Sequence, residues 1–200
     1  MTTLLVIAKE PVPGRVKTRL TPPYTPRQAA AIAEAALADT LDAVVRTPAE
    51  RRLLALAGKP GSWLPEGIDV RPQRGDGLDE RLANAFAEAG GPAVLVGMDT
   101  PQVTTDMLAE AAKLLEDNDA VFGPAADGGF WLLGLRTPDP GRLLGVPMSR
   151  PDTGAHQLER LRGLRVATLQ TLIDVDTAED AVRVAAQAPG TRFAASVAAA

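Results

Sequence analysis

The chain has 200 residues, 46% of them hydrophobic, and 35 of those are Ala, so the larger apolar side chains fill one core and are thin for two. A net charge of −4 and a pI near 5.1 give a surface that does not attract nucleic acid or anionic lipid, so any phosphate-binding site must be local. The lack of Cys, with His156 as the one imidazole, excludes disulfides, thiol nucleophiles, thiolate metal sites and His-rich zinc sites. No apolar run reaches the ~20 residues of a membrane helix. The first residues lack the basic region and long apolar stretch of a signal peptide, so a cytoplasmic location is expected, with no membrane and no nucleic acid as partner.

In chain order, Thr3–Ala8 is a continuous apolar run that predicts a buried parallel strand. Lys9–Pro26, with five prolines and Gly14, predicts a loop. Arg27–Arg46 has helical spacing behind a Thr25-Pro26 start signal. Leu53–Ala57 and Ile68–Arg71 read as strands, and Leu78–Ala89 as a helix closed by Gly90-Gly91. Ala93–Gly97 reads as a strand and Thr104–Glu116 as a helix. Ala120–Gly123 and Phe130–Leu135 are strands around the turn at Asp127-Gly128-Gly129. Asp152–Leu161 is helical, Leu164–Leu169 a last strand, and Thr177–Ala188 a last helix capped by Thr177 or Asp176. The tail Ala194–Ala200 is expected to fray. Strands alternating with helices predict a single α/β domain over residues 1–200, its core about 3–188, as a three-layer αβα fold with a mostly parallel sheet. In such sheets ligands lie beyond the carboxyl ends of the strands.

Four strand-end segments carry candidate chemistry. The first, Lys9 to Leu20, gathers Lys9, Arg15, Lys17 and Arg19 against one acid, Glu10, and holds two of the chain's four lysines. Cations preplaced on a loop stiffened by Pro and Gly14 suit a phosphate group; the alternative is a solvated basic loop. The P-loop pattern fails because Val16 precedes Lys17-Thr18, and no dinucleotide fingerprint follows the first strand. The second segment places Asp99 where a strand gives way to loop, suited to holding a hard divalent cation against a phosphate, or to forming an Asx-turn. In the third, Asp127, Gly128 and Gly129 form a turn that lets a ligand approach the backbone, and Phe130 or Trp131 could stack on it; the alternative is a tight hairpin with a core aromatic. In the fourth, Asp174 and Asp176 fall on one side of an extended segment and need a cation or donors between them, unless Asp176 caps the next helix. Gln73, Gly75 and Gly77 precede a helix, where they either meet a base or make a plain turn. His156 is expected to face solvent or pack on its own helix.

Taken together, KEPVPGRVKTRL (9–20), GMDTP (97–101), GPAADGGFWLLGL (123–135) and DVDTAED (174–180) resemble the DUF2064 family of bacterial glycosyltransferase-like proteins. That family belongs to the nucleotide-diphospho-sugar transferase superfamily, with the GT-A fold. The likeness runs over about residues 3–188. The second and fourth motifs, and Lys17 to Leu20, also resemble the 2-phospholactate guanylyltransferase family. The resemblance implies phosphate contacts at Lys9, Gly14, Arg15 and Lys17 and a base near Gln73, Gly75 and Gly77. It implies Mg²⁺ or Mn²⁺ at Asp99 with Asp176 or Asp174, and an acceptor or sugar at Asp127, Gly128, Gly129 and Trp131. Lys17 and Asp99 would carry the chemistry. The sequence departs from the families' patterns at Pro11–Gly14, Asp79 and Phe130. Two reactions are compatible with these residues: nucleotidyl transfer from an NTP to a phosphorylated small molecule, with pyrophosphate release, or glycosyl transfer from an NDP-sugar. Asp99 lacks the second Asp, two residues earlier, of the usual glycosyltransferase metal motif, which favours the first. A nucleotide-binding protein without chemistry is the third reading, and a homodimer is one option for the assembly.

Overall fold

The computed structural model describes residues 2–200. Seven strands form one sheet: β1 (Thr3–Lys9), β2 (Arg51–Ala57), β3 (Asp69–Pro72), β4 (Ala93–Gly97), β5 (Ala120–Pro124), β6 (Phe130–Leu135) and β7 (Val166–Thr168). Their spatial order is β3-β2-β1-β4-β6-β5-β7. Only β6 runs against the rest, because a tight turn joins it to β5 and a chain that reverses at once must pair antiparallel. The carboxyl ends of the other six strands therefore share one edge.

Both faces of this sheet are covered, which is why β1 and β4 are continuous apolar runs rather than alternating ones. On one face α1 (Pro26–Arg46) and α3 (Thr105–Asp117) bury Leu37, Leu41, Leu108 and Leu115 against Val6, Val94 and Leu132. On the other, α2 (Leu78–Ala89) buries Leu82 and Phe86 against Leu5, Leu95 and Leu133. The short α4 (Thr153–Arg160) follows the β6 side, with Gln157 buried and its amide donating to the Arg142 carbonyl at 2.9 Å. Helix starts follow sequence chemistry. Thr25 and Gln28 form a reciprocal capping box on α1, with Pro26 as its first residue. Thr177 and Asp180 do the same for α5 (Ala178–Gln187), so the cap there is Thr177 and not Asp176.

The tail departs from the expectation of fraying. Arg192–Ala199 is a helix, α6, capped by Thr191 and docked on α1 and α5. Phe193 is fully buried in a third apolar cluster with Leu20, Ile32, Ala36, Val175, Ala181 and Val184. Asp39 of α1 accepts from the Phe193 backbone N–H at 2.8 Å and pairs with Arg192. The cluster matters to function because Leu20 and Val175 flank the candidate site described below. Phe193→Ala should cost about 3–5 kcal/mol of stability, as expected for truncating a fully buried Phe. Denaturant unfolding checks this; a loss below about 1 kcal/mol would mean that α6 is not part of the cooperative fold.

Candidate functional site

The loop after β1 is held from both sides by apolar anchors. Val16 enters the sheet-facing core, and Leu20 enters the third cluster. Gly14 takes φ +75°, which lets the chain reverse where Arg15 N–H donates to the Val12 carbonyl at 3.0 Å. Between the anchors Lys17 itself lies in the left-handed region, at φ 48° and ψ 41°. A side chain other than Gly pays on the order of 1 kcal/mol there, and such strain is found where a side chain must be aimed.

The strain aims Lys17 inward. Its Nζ lies 2.7 Å from Asp99 Oδ1 and 3.2 Å from Asp176 Oδ1, and it donates to the Val175 carbonyl. The Val175 N–H in turn donates to the Asp99 carbonyl at 2.8 Å, tying the last segment to the end of β4. The lysine side chain is 9% exposed, against 42% for Asp99 and 38% for Asp176. Burial lowers the ammonium's pKa, but the two carboxylates outweigh it and raise the pKa above the ordinary lysine value. Arg19 adds a further contact to Asp176 Oδ2 at 3.3 Å. Arg19 belongs to the same cationic run, and its spacing of two from Lys17 was the available signal for this role. No sequence signal marks a carbonyl such as Val175.

Asp174 lies beside this network under different conditions. Burial, then the charges of Asp99 and Asp127, push its pKa up to about 7, with Asp176 adding to the shift and Lys17 opposing it. Its Oδ1 is buried without a hydrogen-bond partner, as are Thr100 Oγ1 and Gln102 Oε1 on the loop after β4. The Gln102 amide nitrogen donates to the Ile173 carbonyl at 2.8 Å. The sequence reading missed Thr100 and Gln102.

The turn between β5 and β6 reaches the same edge. Ala126 N–H donates to the Leu172 carbonyl at 2.8 Å, and Asp127 accepts from Gly129 N–H at 2.9 Å in an Asx-turn. Gly128, at φ +90°, is required by packing: a Cβ there would overlap the Pro151 carbonyl oxygen. Gly154 N–H donates to the Gly128 carbonyl at 2.8 Å. The loop before α4 thus occupies the backbone space expected for a ligand. Trp131 also differs from expectation. It is 2% exposed, sits in the core, and donates its indole N–H to the Gln170 carbonyl at 3.0 Å, so no ring face is open for stacking. Phe130 is half-buried and packs on Phe122 with ring centroids 5.7 Å apart.

The remaining residues fall on the β1-β2-β3 side of the edge. Gln73 donates to the Ala8 and Ala55 carbonyls at 2.8 and 3.0 Å, spending its amide nitrogen on the strand ends and leaving its oxygen unspent there. Gly75, at φ +115°, and Gly77 lead into α2, and a Cβ on Gly75 would meet Glu80 at 2.6 Å. Asp79 accepts from Gly145 N–H at 2.8 Å, a structural tie that accounts for an acid at this position. Lys9 and Arg15 are exposed and have no ion-pair partner among the described residues. His156 is exposed and pairs with Asp152 of its own helix start.

For a metal, the oxygens of Asp99, Asp176 and Val175 are hard donors of the type Mg²⁺ and Mn²⁺ take, and the unpartnered Asp174 Oδ1 lies beside them. They fit such an ion once the ammonium leaves them. Among the described residues no three acids or His are already gathered as a cage.

A profile of proteins described as uncharacterised and conserved in bacteria, DUF2064, matches residues 31–150. A 3-phospho-D-glycerate guanylyltransferase from Phenylobacterium zucineum (strain HLK1) is 32% identical over 205 residues, covering 89% of this chain and 88% of that protein. A candidate nucleotide-diphospho-sugar transferase from Desulfovibrio desulfuricans G20 superposes with a TM-score of 0.84 at 29% identity, over 91% of this chain and 85% of that one. Two more distant structures speak for the fold alone. The 2-C-methyl-D-erythritol 4-phosphate cytidylyltransferase from Thermus thermophilus has a TM-score of 0.61 at 18% identity, over 94% of this chain and 100% of that one. A Mycobacterium tuberculosis H37Rv protein, Rv0371c, in complex with manganese, has a TM-score of 0.54 at 22% identity, over 92% and 97%.

Lys17→Met should destabilise the free protein by about 1–2 kcal/mol. Breaking a fully buried pair costs more, but the two carboxylates are partly exposed and keep some hydration. Thermal or urea unfolding reads this; an unchanged midpoint would mean that the ammonium does not hold the segments together. Gly128→Ala should cost ~2 kcal/mol or more, since both its φ and its contact with Pro151 forbid a Cβ. A neutral result would mean that the Pro151 contact does not require glycine at position 128.

Proposed function

The chain belongs to the DUF2064 family and is a transferase with the nucleotide-diphospho-sugar transferase fold; from that premise we propose that it transfers a nucleotidyl group from an NTP to a phosphorylated small molecule and releases pyrophosphate. The observation that carries the reading is the convergence of Lys17, Asp99 and Asp176 on one point of the carboxyl edge. A cation from the first loop and carboxylates from two other loops are what a triphosphate and its counter-ion require.

In this reading an acceptor phosphate oxygen attacks the α-phosphorus and forms the new P–O bond. The bond from the α-phosphorus to the bridging oxygen breaks, and that oxygen leaves with pyrophosphate. Lys9, Arg15 and Lys17 bind the β- and γ-phosphates and offset the charge that builds on the leaving group. Gln73, Gly75 and Gly77 border the base, and the unspent Gln73 oxygen is the group that would read its edge. Asp127 and Gly129 border the acceptor. Asp99 and Asp176, with Asp174 beside them, would hold Mg²⁺ or Mn²⁺, which supplies charge neutralisation at the phosphates. No protein nucleophile is needed, which suits a chain without Cys.

The guanylyltransferase named above makes GTP the first donor to test and 3-phospho-D-glycerate the first acceptor. Glycosyl transfer is the second reading, kept because of the nucleotide-diphospho-sugar transferase likeness. Gly97 stands where the usual metal motif of that class carries its first Asp. Pyrophosphate release from an NTP panel with phosphorylated acceptors supports nucleotidyl transfer. Free NDP from an NDP-sugar supports the second reading instead. Nucleotide binding with neither product, across a broad acceptor panel, leaves a binding protein. Asp99→Asn should lower turnover about 100-fold or more in protein that circular dichroism shows to be folded, with a stability loss no greater than that of Lys17→Met. Unchanged turnover would remove Asp99 from the reaction.

A further inference from the structure

The Lys17 ammonium lies where a hard cation would lie. Its partners are two carboxylate oxygens and a carbonyl, the donor types that Mg²⁺ and Mn²⁺ select. Two of them are the carboxylates proposed above as metal ligands, so this inference rests on that reading. An ammonium has three N–H donors, and here each has its oxygen: Asp99, Asp176 and Val175. Asp174 Oδ1, on the residue before Val175, stays buried and unpartnered. A six-coordinate ion with its waters reaches more oxygens than an ammonium does.

A divalent ion on those oxygens would stand within a few ångströms of the ammonium. Like charges that close repel each other, and the ammonium, 9% exposed, has little water to screen it. Charge balance acts in the same direction. Asp99 and Asp176 are already matched by Lys17 and Arg19, so a free ion meets no uncompensated pair. A metal–nucleotide complex differs from a free ion in one respect: it brings phosphate oxygens that can take over the ammonium.

We propose that Lys17 is a specificity residue that fills the cation position between Asp99 and Asp176 in the nucleotide-free enzyme, so that the site admits a divalent ion only together with phosphates onto which the ammonium can move. The enzyme then rejects the free metal ion and takes the metal–nucleotide complex as its ligand. Lys17 serves as counter-ion in the empty site and as phosphate ligand in the filled one.

The test is titration of Mn²⁺ alone, followed by calorimetry or by the electron paramagnetic resonance of the free ion, into wild type, Lys17→Met and Lys17→Arg. Lys17→Met should bind Mn²⁺ at least about tenfold more tightly than wild type, equivalent to about 1.4 kcal/mol. Lys17→Arg, which keeps the cation, should stay near wild type. Equal or weaker Mn²⁺ binding by Lys17→Met overturns the exclusion and leaves the metal reading standing. No Mn²⁺ binding by any of the three proteins, with GTP or without, overturns the metal reading and this inference with it. Should Lys17→Met not fold, wild type carries the test through its four lysines. In ¹⁵N-lysine spectra, Mg²⁺ alone should leave the Lys17 ammonium signal in place, and Mg²⁺ with GTP should shift it. Displacement by Mg²⁺ alone overturns the proposal.

Discussion

One ammonium group joins three stretches of chain that are far apart in sequence. Lys17 arrives from the loop after β1, Asp99 from the end of β4, and Val175 and Asp176 from the segment before α5. Each partner is fixed by something other than the charge. Val16 and Leu20 anchor the lysine's loop in two apolar clusters, Val175 is buried in the second of these, and Asp99 continues a strand buried along its length. The network is therefore a consequence of packing, and its electrostatics act on a geometry already built. Coulomb attraction between partly exposed groups would be too weak to gather three loops unaided.

The same logic separates two kinds of residue along the edge. Some polar and glycine positions are consumed by the fold. Gly128 admits the Pro151 carbonyl, Asp79 receives Gly145, and the Gln73 amide closes the ends of β1 and β2. Others are left with unspent capacity: Lys9 and Arg15 without ion-pair partners among the described residues, and Asp174, Thr100 and Gln102 with bare oxygens. Buried unsatisfied groups are costly and rare in proteins, and each needs a partner such as water, an ion or a ligand. The unspent groups, not the consumed ones, outline the proposed nucleotide and acceptor positions.

Much of this is legible in the sequence. Apolar runs alternating with helical periods point to the α/β architecture, and strand ends direct attention to Lys17, Asp99 and Asp176 because they interrupt apolar or Pro/Gly-rich segments. Three things are not legible, each for a physical reason. The helix α6 is Ala-rich with one large aromatic residue, and its docking depends on Asp39, far upstream. Trp131 reads as available if β6 is taken as a strand with one free side. Both faces of a central strand are covered here, so periodicity cannot say which aromatic is open. The packing role of Gly128 depends on Pro151, a partner 23 positions later that no local pattern announces.

The oxygens proposed to bind a cation and the lysine proposed to bind phosphate meet at one point, and a crystal grown with Mn²⁺ and a non-hydrolysable GTP analogue tests those roles most directly. An anomalous manganese peak is expected between the carboxylates of Asp99 and Asp176, with the Lys17 ammonium drawn onto a phosphate oxygen. Manganese or nucleotide bound elsewhere on the molecule, with Lys17 still seated between the two aspartates, would contradict it.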